Sequence, residues 1–196
     1  MGESSPDSAG ASVIAFLRGE RVALRPRRPE DVDVLHAELY DDVETRARAD
    51  TRPWRPIPPG SPESPYAVTG AGTEAAPFSV IELGEDELAG EAIVWGIDLH
   101  NRVAHLGLAL LPAFRGRGLA EEVLRLLCRY GFEARGLNRL QLETTAGNDP
   151  MIGAAERAGF VREGTLRQAA WTLGAHEDVV VMGLLAGGRA PLASSP

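Results

Sequence analysis

The chain has 196 residues, 44% hydrophobic and 24% charged, and a formal net charge of −8. That length holds one substantial core but not two ordinary enzymatic domains, and the composition excludes a wholly disordered or fibrous protein. The acidic balance argues against nucleic acid as the main partner, because binding it needs a basic footprint.

Residues 1–12 (rich in Gly, Ser, Ala and Asp) and 187–196 read as flexible tails around a single domain at 13–186. The start lacks a basic stretch ahead of its short apolar run, so no signal peptide is expected. No apolar run nears the roughly 20 residues that span a bilayer, and no membrane association is expected. RVALR, from Arg21 to Arg25, predicts a strand, and Pro29, Glu30 and Asp31 open an amphipathic helix through Leu39. Arg52 to Pro77 is rich in proline and glycine, the composition of a functional loop or lid. Trp54 and Tyr66 within it either anchor the loop to the core or wall a pocket. FSVIEL and ELAGEAIVWGID predict strands, the second turning through LHNR into VAHLGLALLP. From Leu119 apolar residues recur at helical spacing through Tyr130, and Gly136 ends that helix. Cys128, the lone cysteine, lies beside the apolar stripe; it excludes an internal disulfide and points to a reducing cytoplasm. LQLETT predicts a strand, and Asn148, Asp149 and Pro150 cap and start a helix ending at Gly159. TLRQAAWTL and EDVVVMGLL predict a closing hairpin about Gly174 and Ala175. The order is that of a three-layer α/β domain with a largely antiparallel sheet.

The chemistry concentrates in LGLALLPAFRGRGLAEEVLRLL. A strand ends at Pro112, a loop carries Arg115, Gly116, Arg117 and Gly118, and a helix begins at once. The first turn of a helix presents unpaired N–H groups and partial positive charge, and glycines let an anion approach them. Two arginines add charge-assisted hydrogen bonds. Physically this is a phosphate or pyrophosphate cradle, or equally a plain Gly-Arg turn with solvated guanidinium groups. It is neither a Walker A loop nor a Rossmann GxGxxG.

RGRGLA, from Arg115 to Ala120, resembles the R/Q-x-x-G-x-G/A signature of the GNAT N-acetyltransferase superfamily. Leu108, Ala109, Leu110 and Pro112 stand where that family has its cofactor-binding strand. The likeness extends to the Rim-type branch of protein N-terminal and small-molecule acetyltransferases. It runs through LRP, LAGEAIVWGID, YGFEARGLNRLQLET, AGNDPMIGAAERAGFVREGTLR and GAHEDVVVMGLL, from Glu20 to Leu185.

The resemblance implies an acyl-CoA N-acyltransferase fold, splayed between its fourth and fifth strands to hold acetyl-CoA. The backbone of Leu108, Ala109 and Leu110 would pair with the pantetheine. The amides of Arg115, Gly116, Arg117, Gly118, Leu119 and Ala120 would hold the pyrophosphate. Asn148 would bond the pantetheine arm, cap its helix, or do both. Ala154, Ala155 and Arg157 would face the outer half of the cofactor. The acceptor would be a primary amine, a peptide N-terminus or a small molecule, and the closing hairpin offers a surface for a homodimer.

Direct attack by an amine needs its proton removed, the thioester carbonyl polarised and the leaving thiolate stabilised. The oxyanion is expected at a backbone N–H of a bulged strand around Leu110. Candidates for the base are His105, Glu91 and Glu143, with His105 and Glu91 favoured. His105 stands where many relatives carry a strand-four glutamate, and imidazole suits proton transfer near neutral pH. A turn centred near His100 sets Glu91 opposite Ala109. Relatives carry a tyrosine or serine as thiol donor on the fourth helix; those positions are Ala155 and Met151 here. That departure keeps open a non-catalytic acyl-CoA-binding module, and a nucleotide-phosphate binder is a third reading. His36, His100 and His176 show no ligand spacing, so no metal is expected. Arg46, Arg48, Arg52 and Arg55 either face water or bind an acidic acceptor.

Overall fold

The computed structural model describes residues 17–49, 52–68 and 72–188. The expected N-terminal tail lies outside these residues, as does most of the C-terminal one; Gly187 and Gly188 close a 3-10 turn after Ala186.

Seven strands form one sheet: β1 (Val22–Pro26), β2 (Ala75–Glu82), β3 (Glu87–Asp98), β4 (Val103–Leu110), β5 (Arg139–Thr145), β6 (Val161–Thr172) and β7 (Ala175–Leu185). Their spatial order is β1-β2-β3-β4-β5-β7-β6. Every neighbour pair is antiparallel except β4 with β5. The helices are α1 (Pro29–Leu35), which continues as a π turn His36–Tyr40, α2 (Val43–Ala49), α3 (Leu119–Arg129), also with a π turn at Tyr130–Ala134, and α4 (Asp149–Arg157). The expected mixed, mostly antiparallel α/β architecture is observed.

Hydrogen bonds assign the two faces of the sheet. Arg25 on β1 and Ser79 on β2 both reach Asp31 of α1. Register carries that face onward through Ser79↔Glu91, Glu91↔Ala109 and Trp95↔His105. The opposite face meets α3, where a Cβ on Gly131 in its π turn would strike the Leu140 side chain of β5 at 2.9 Å. On α3, Leu119, Val123, Leu124, Leu126 and Leu127 are buried, the stripe of an amphipathic helix.

Two local details differ from the sequence reading. The β3–β4 register runs unbroken from Gly90↔Leu110 to Trp95↔His105, so the bulge expected near Leu110 is absent. Irregularities lie instead at the far end of the β3–β4 pair, between Trp95 and Asp98, and on the other edge of β3, where Ala89 is extra between Val80↔Gly90 and Ile81↔Leu88. Gly90 is required there, because a Cβ would sit 2.2 Å from the Ala109 carbonyl oxygen. The closing hairpin also starts earlier than expected, at Val161, and turns on Leu173 and Gly174, both at positive φ.

Asp31 organises the α1 face. Its carboxylate accepts from Arg25 at 2.6 and 2.7 Å, from the Ser79 hydroxyl at 2.7 Å and from the Arg28 N–H at 2.8 Å. Burial pushes its pKa up, but the Arg25, Ser79 and backbone hydrogen bonds outweigh it and hold the carboxyl below its ordinary value. A lowered folded pKa contributes stability that is complete above the unfolded value of about 3.9 and is lost as pH falls through the folded one. Asp31→Asn leaves Arg25 buried beside a neutral amide and costs about 3–5 kcal/mol. Urea unfolding of the variant should show that loss at pH 7 and a flatter acid limb than the wild type.

Candidate active site

β4 and β5 pair only at Val103↔Arg139, Ala104↔Leu140 and His105↔Gln141. Beyond them β4 stays on β3 through Leu110, while β5 stays on β7 through Thr145. The strands therefore part, and β4 leaves an edge of backbone groups without a strand partner. The expected splay is present.

A groove of about 750 Å³ fills the wedge. Its walls include Leu108, Ala109 and Leu110 of β4, Gly116, Gly118, Leu119 and Ala120 of the loop and α3, and Asn148 of α4. Gly116 (φ 70°) and Gly118 (φ 72°) take the left-handed conformation, which brings successive N–H groups to one concave side. Gly118 is the N-cap of α3 and gives no side-chain cap, so the first-turn amides are left for a ligand.

The arginines work differently from the sequence reading. Arg115 lines the groove, yet its Nε donates to the Leu110 carbonyl at 2.9 Å and its Nη1 to Thr45 Oγ1 at 3.2 Å. Arg117 lies over the Phe114 ring, 4.9 Å from its centroid. Arg21, at the start of β1, clamps the loop by donating to the Arg117 and Gly118 carbonyls at 3.0 and 2.9 Å. Glu121 and Glu122 in the first turn of α3 would repel an anion, and each is neutralised. Glu121 accepts from Arg125 at 2.9 Å and from Arg157 at 3.0 Å, and these hydrogen bonds, Arg125 first, hold its carboxyl below the ordinary value. Glu122 accepts from the Arg21 N–H at 3.0 Å. The loop keeps a net positive field.

A second cavity of about 380 Å³ adjoins the groove on the α1 face, and the two share Leu106 to Ala109 and Glu143 to Thr145 as walls. His105 lines it, its ring stacked on Trp95 at 4.5 Å and 23°. Glu91 lines it too, with Oε2 2.6 Å from the Nη2 of Arg27, whose side chain is only 2% exposed. Gln141 beside His105 donates to Glu143 at 3.0 Å. Tyr66 serves both of its alternative roles: it is 2% exposed in the core and lines this cavity. Burial pushes its hydroxyl pKa strongly up, so it stays protonated. Trp54 anchors the loop by donating to the Tyr40 carbonyl at 3.1 Å and borders neither cavity.

Asn148 is an N-cap whose Oδ1 accepts from the Met151 N–H at 3.3 Å, while its Nδ2 donates to Thr144 at 2.9 Å. One N–H of that amide remains for the groove. Arg46 is 8% exposed and lines the acceptor-side cavity, so it does not face water. The side chain of Arg48 lies outside the described residues. Among the described residues no group of His, Cys, Asp or Glu could hold a metal, and no helix is long and apolar enough to cross a membrane. Sequence reasoning missed Arg21, Arg27 and Thr144, whose roles depend on partners far along the chain; the Thr144-to-Asn148 spacing was the one local signal.

A parallel pair that parts beside an uncapped helix and a glycine loop forms a groove with an open strand edge at one end and unpaired helix amides at the other. A family model for the acetyltransferase (GNAT) domain matches residues 21–161, and the chain belongs to this family. It is 33% identical over 113 residues to the putative ribosomal N-acetyltransferase YdaF of Bacillus subtilis, covering 56% of this chain and 62% of that protein. That match spans less than two thirds of the relative. The uncharacterized N-acetyltransferase p20 of Bacillus licheniformis is 30% identical over 85% of this chain and 93% of its own. The spermidine N-acetyltransferase of Vibrio cholerae, solved with CoA and spermine, shares the fold at TM-score 0.78 and 21% identity, covering 86% of this chain and 97% of that one. The chain thus stands among the acetyl-CoA-dependent N-acetyltransferases.

Gly116→Ala tests the loop. A Cβ there meets nothing within 4 Å, so the fold loses only the left-handed preference, about 1–2 kcal/mol. It does intrude on the anion's approach, and calorimetry should find CoA bound about tenfold more weakly.

Proposed function

We propose that this protein moves the acetyl group of acetyl-CoA to a primary amine, a peptide N-terminus or a small molecule, bound in the α1-face cavity. The observation that carries this reading is the meeting of the two cavities along Leu106 to Ala109 and Glu143 to Thr145. When bound, acetyl-CoA supplies the acyl group and a thiolate leaving group. Leu108 to Leu110 offer the open strand edge that would hold the arm. The amides of Arg115 to Ala120 and the spare N–H of Asn148 would hold the rest.

His105 takes the proton of the acceptor amine. Its face is fixed by Trp95, and its place at the last paired residue of β4 puts it where the wedge begins. Glu91, opposite Ala109 and oriented by Arg27, serves as a hydrogen-bond acceptor that positions the acceptor's nitrogen at that point. Arg27 keeps the carboxylate in place by also donating to the Pro65 and Phe78 carbonyls. The outer strand β6 leaves Val161, Leu166 and Trp171 48–65% exposed, which supports the expected homodimer.

Turnover on a panel of amines, followed by thiol release, tests the assignment. His105→Gln should lower kcat by about 10²–10⁴-fold, with the KM for acetyl-CoA unchanged. Glu91→Gln should raise the acceptor KM more than it lowers kcat. An unaltered kcat in His105→Gln contradicts the role given to the imidazole.

A further inference from the structure

Attack on a thioester leaves a thiolate, yet neither helix position that donates to it in relatives carries a donor here. Met151 offers only a thioether, and Ala155 is fully buried. Resting on the acetyl-transfer reading above, we propose that the Thr144 hydroxyl stabilises the departing thiolate.

Three observations converge on Thr144. It is 8% exposed and forms part of the wall shared by the groove and the acceptor cavity. Its Oγ1 accepts from Asn148 Nδ2 at 2.9 Å. That amide cannot turn over, because its Oδ1 is engaged as the cap of α4. A hydroxyl whose acceptor side is filled in this way has its single proton left to donate elsewhere. Alternation along β5 supplies the third observation. Gln141 and Glu143 bond to each other on the face of His105, whereas Thr144 points with Leu140 and Leu142 toward α3 and α4. The amine's base and the thiolate's donor thus reach the parting of the strands from opposite faces of the sheet. Thr45, another hydroxyl of the shared walls, is spent on Asp42 and Arg115.

In the reaction the amine nitrogen bonds to the acyl carbon, the carbon–sulfur bond breaks, and its electron pair goes to sulfur. The ammonium proton of the acceptor passes to solvent before attack, and the second proton, released as nitrogen bonds to the acyl carbon, goes to His105. Thr144 donates a hydrogen bond to sulfur and keeps its own proton, being a far weaker acid than a thiol. Electrostatic stabilisation of the leaving group is therefore its whole contribution.

The test uses Thr144→Val, which keeps the branched shape without the hydroxyl, and Thr144→Ser, which keeps the hydroxyl. The first readout is the pKa of the thiol of CoA bound to the protein without acceptor, followed by thiolate absorbance. Thr144→Val should raise it by about one unit, a tenfold change in thiolate fraction, and Thr144→Ser should restore it. Affinity for desulfo-CoA, which has no sulfur to stabilise, should be equal in wild type and Thr144→Val. Turnover should fall about 10–100-fold in Thr144→Val and recover in Thr144→Ser. An unchanged bound-thiol pKa overturns the proposal, as does equal weakening of CoA and desulfo-CoA, which marks Thr144 as a support for Asn148 only. A wild type that binds CoA but acetylates no amine defeats the acetyl-transfer reading alone, and the thiol titration still decides the role of Thr144.

Discussion

The parting of β4 from β5 is the constraint on which the site depends. Each strand is held on its outer side, seven residues of β4 against β3 and seven of β5 against β7, so each half of the sheet holds its own course. Only three residue pairs join the halves. A strand edge that leaves its partner inside a domain exposes backbone groups that need hydrogen bonds, and an extended ligand arm is a natural answer. The same parting joins the groove beside α3 and α4 to the cavity beside α1, the two spaces that the proposed reading gives to carrier and acceptor.

One short stretch of sequence ties these parts together. Arg21 holds the glycine loop, Arg25 ties the sheet to Asp31 of α1, and Arg27 fixes Glu91 in the acceptor cavity. A single strand end thereby sets the geometry of the carrier site, the helix covering the opposite face and the acceptor site. The two buried arginines of this stretch, Arg25 and Arg27, are tolerated because each is matched by a carboxylate and by backbone carbonyls. The Asp31 network is the structural member of this set, and the Arg27–Glu91 pair is the one turned toward chemistry.

What the sequence made legible was local. Asn148-Asp149-Pro150 announces α4, Gly136 and Gly159 at positive φ end their helices, and RGRGLA marks the loop. The position of Glu91 opposite Ala109 could be counted because the β3–β4 turn is short and pinned by Asp98, which caps Asn101. What stayed hidden depends on contacts across the fold. Arg21 meets Gly118 across 97 positions, Arg27 meets Glu91 across 64, and Asp31 meets Ser79 across 48. Arg46 reads as a surface residue from its helix alone, and only the packing of Tyr40 and Tyr66 around it buries it. The expected bulge at Leu110 failed for a related reason: the irregularities of β3 fall at Ala89 on its β2 edge and between Trp95 and Asp98 on its β4 edge, so β4 stays regular at Leu110.

Hydrogen exchange of the backbone amides, with and without coenzyme A, examines the wedge itself. Occupation by the carrier should slow exchange at Leu106 to Leu110 and in the first turn of α3, while β6 and the outer part of β7 exchange as before. Slowing confined to other elements, or equal slowing at the α3 turn by ATP with β4 untouched, would contradict an acyl carrier held between the parted strands.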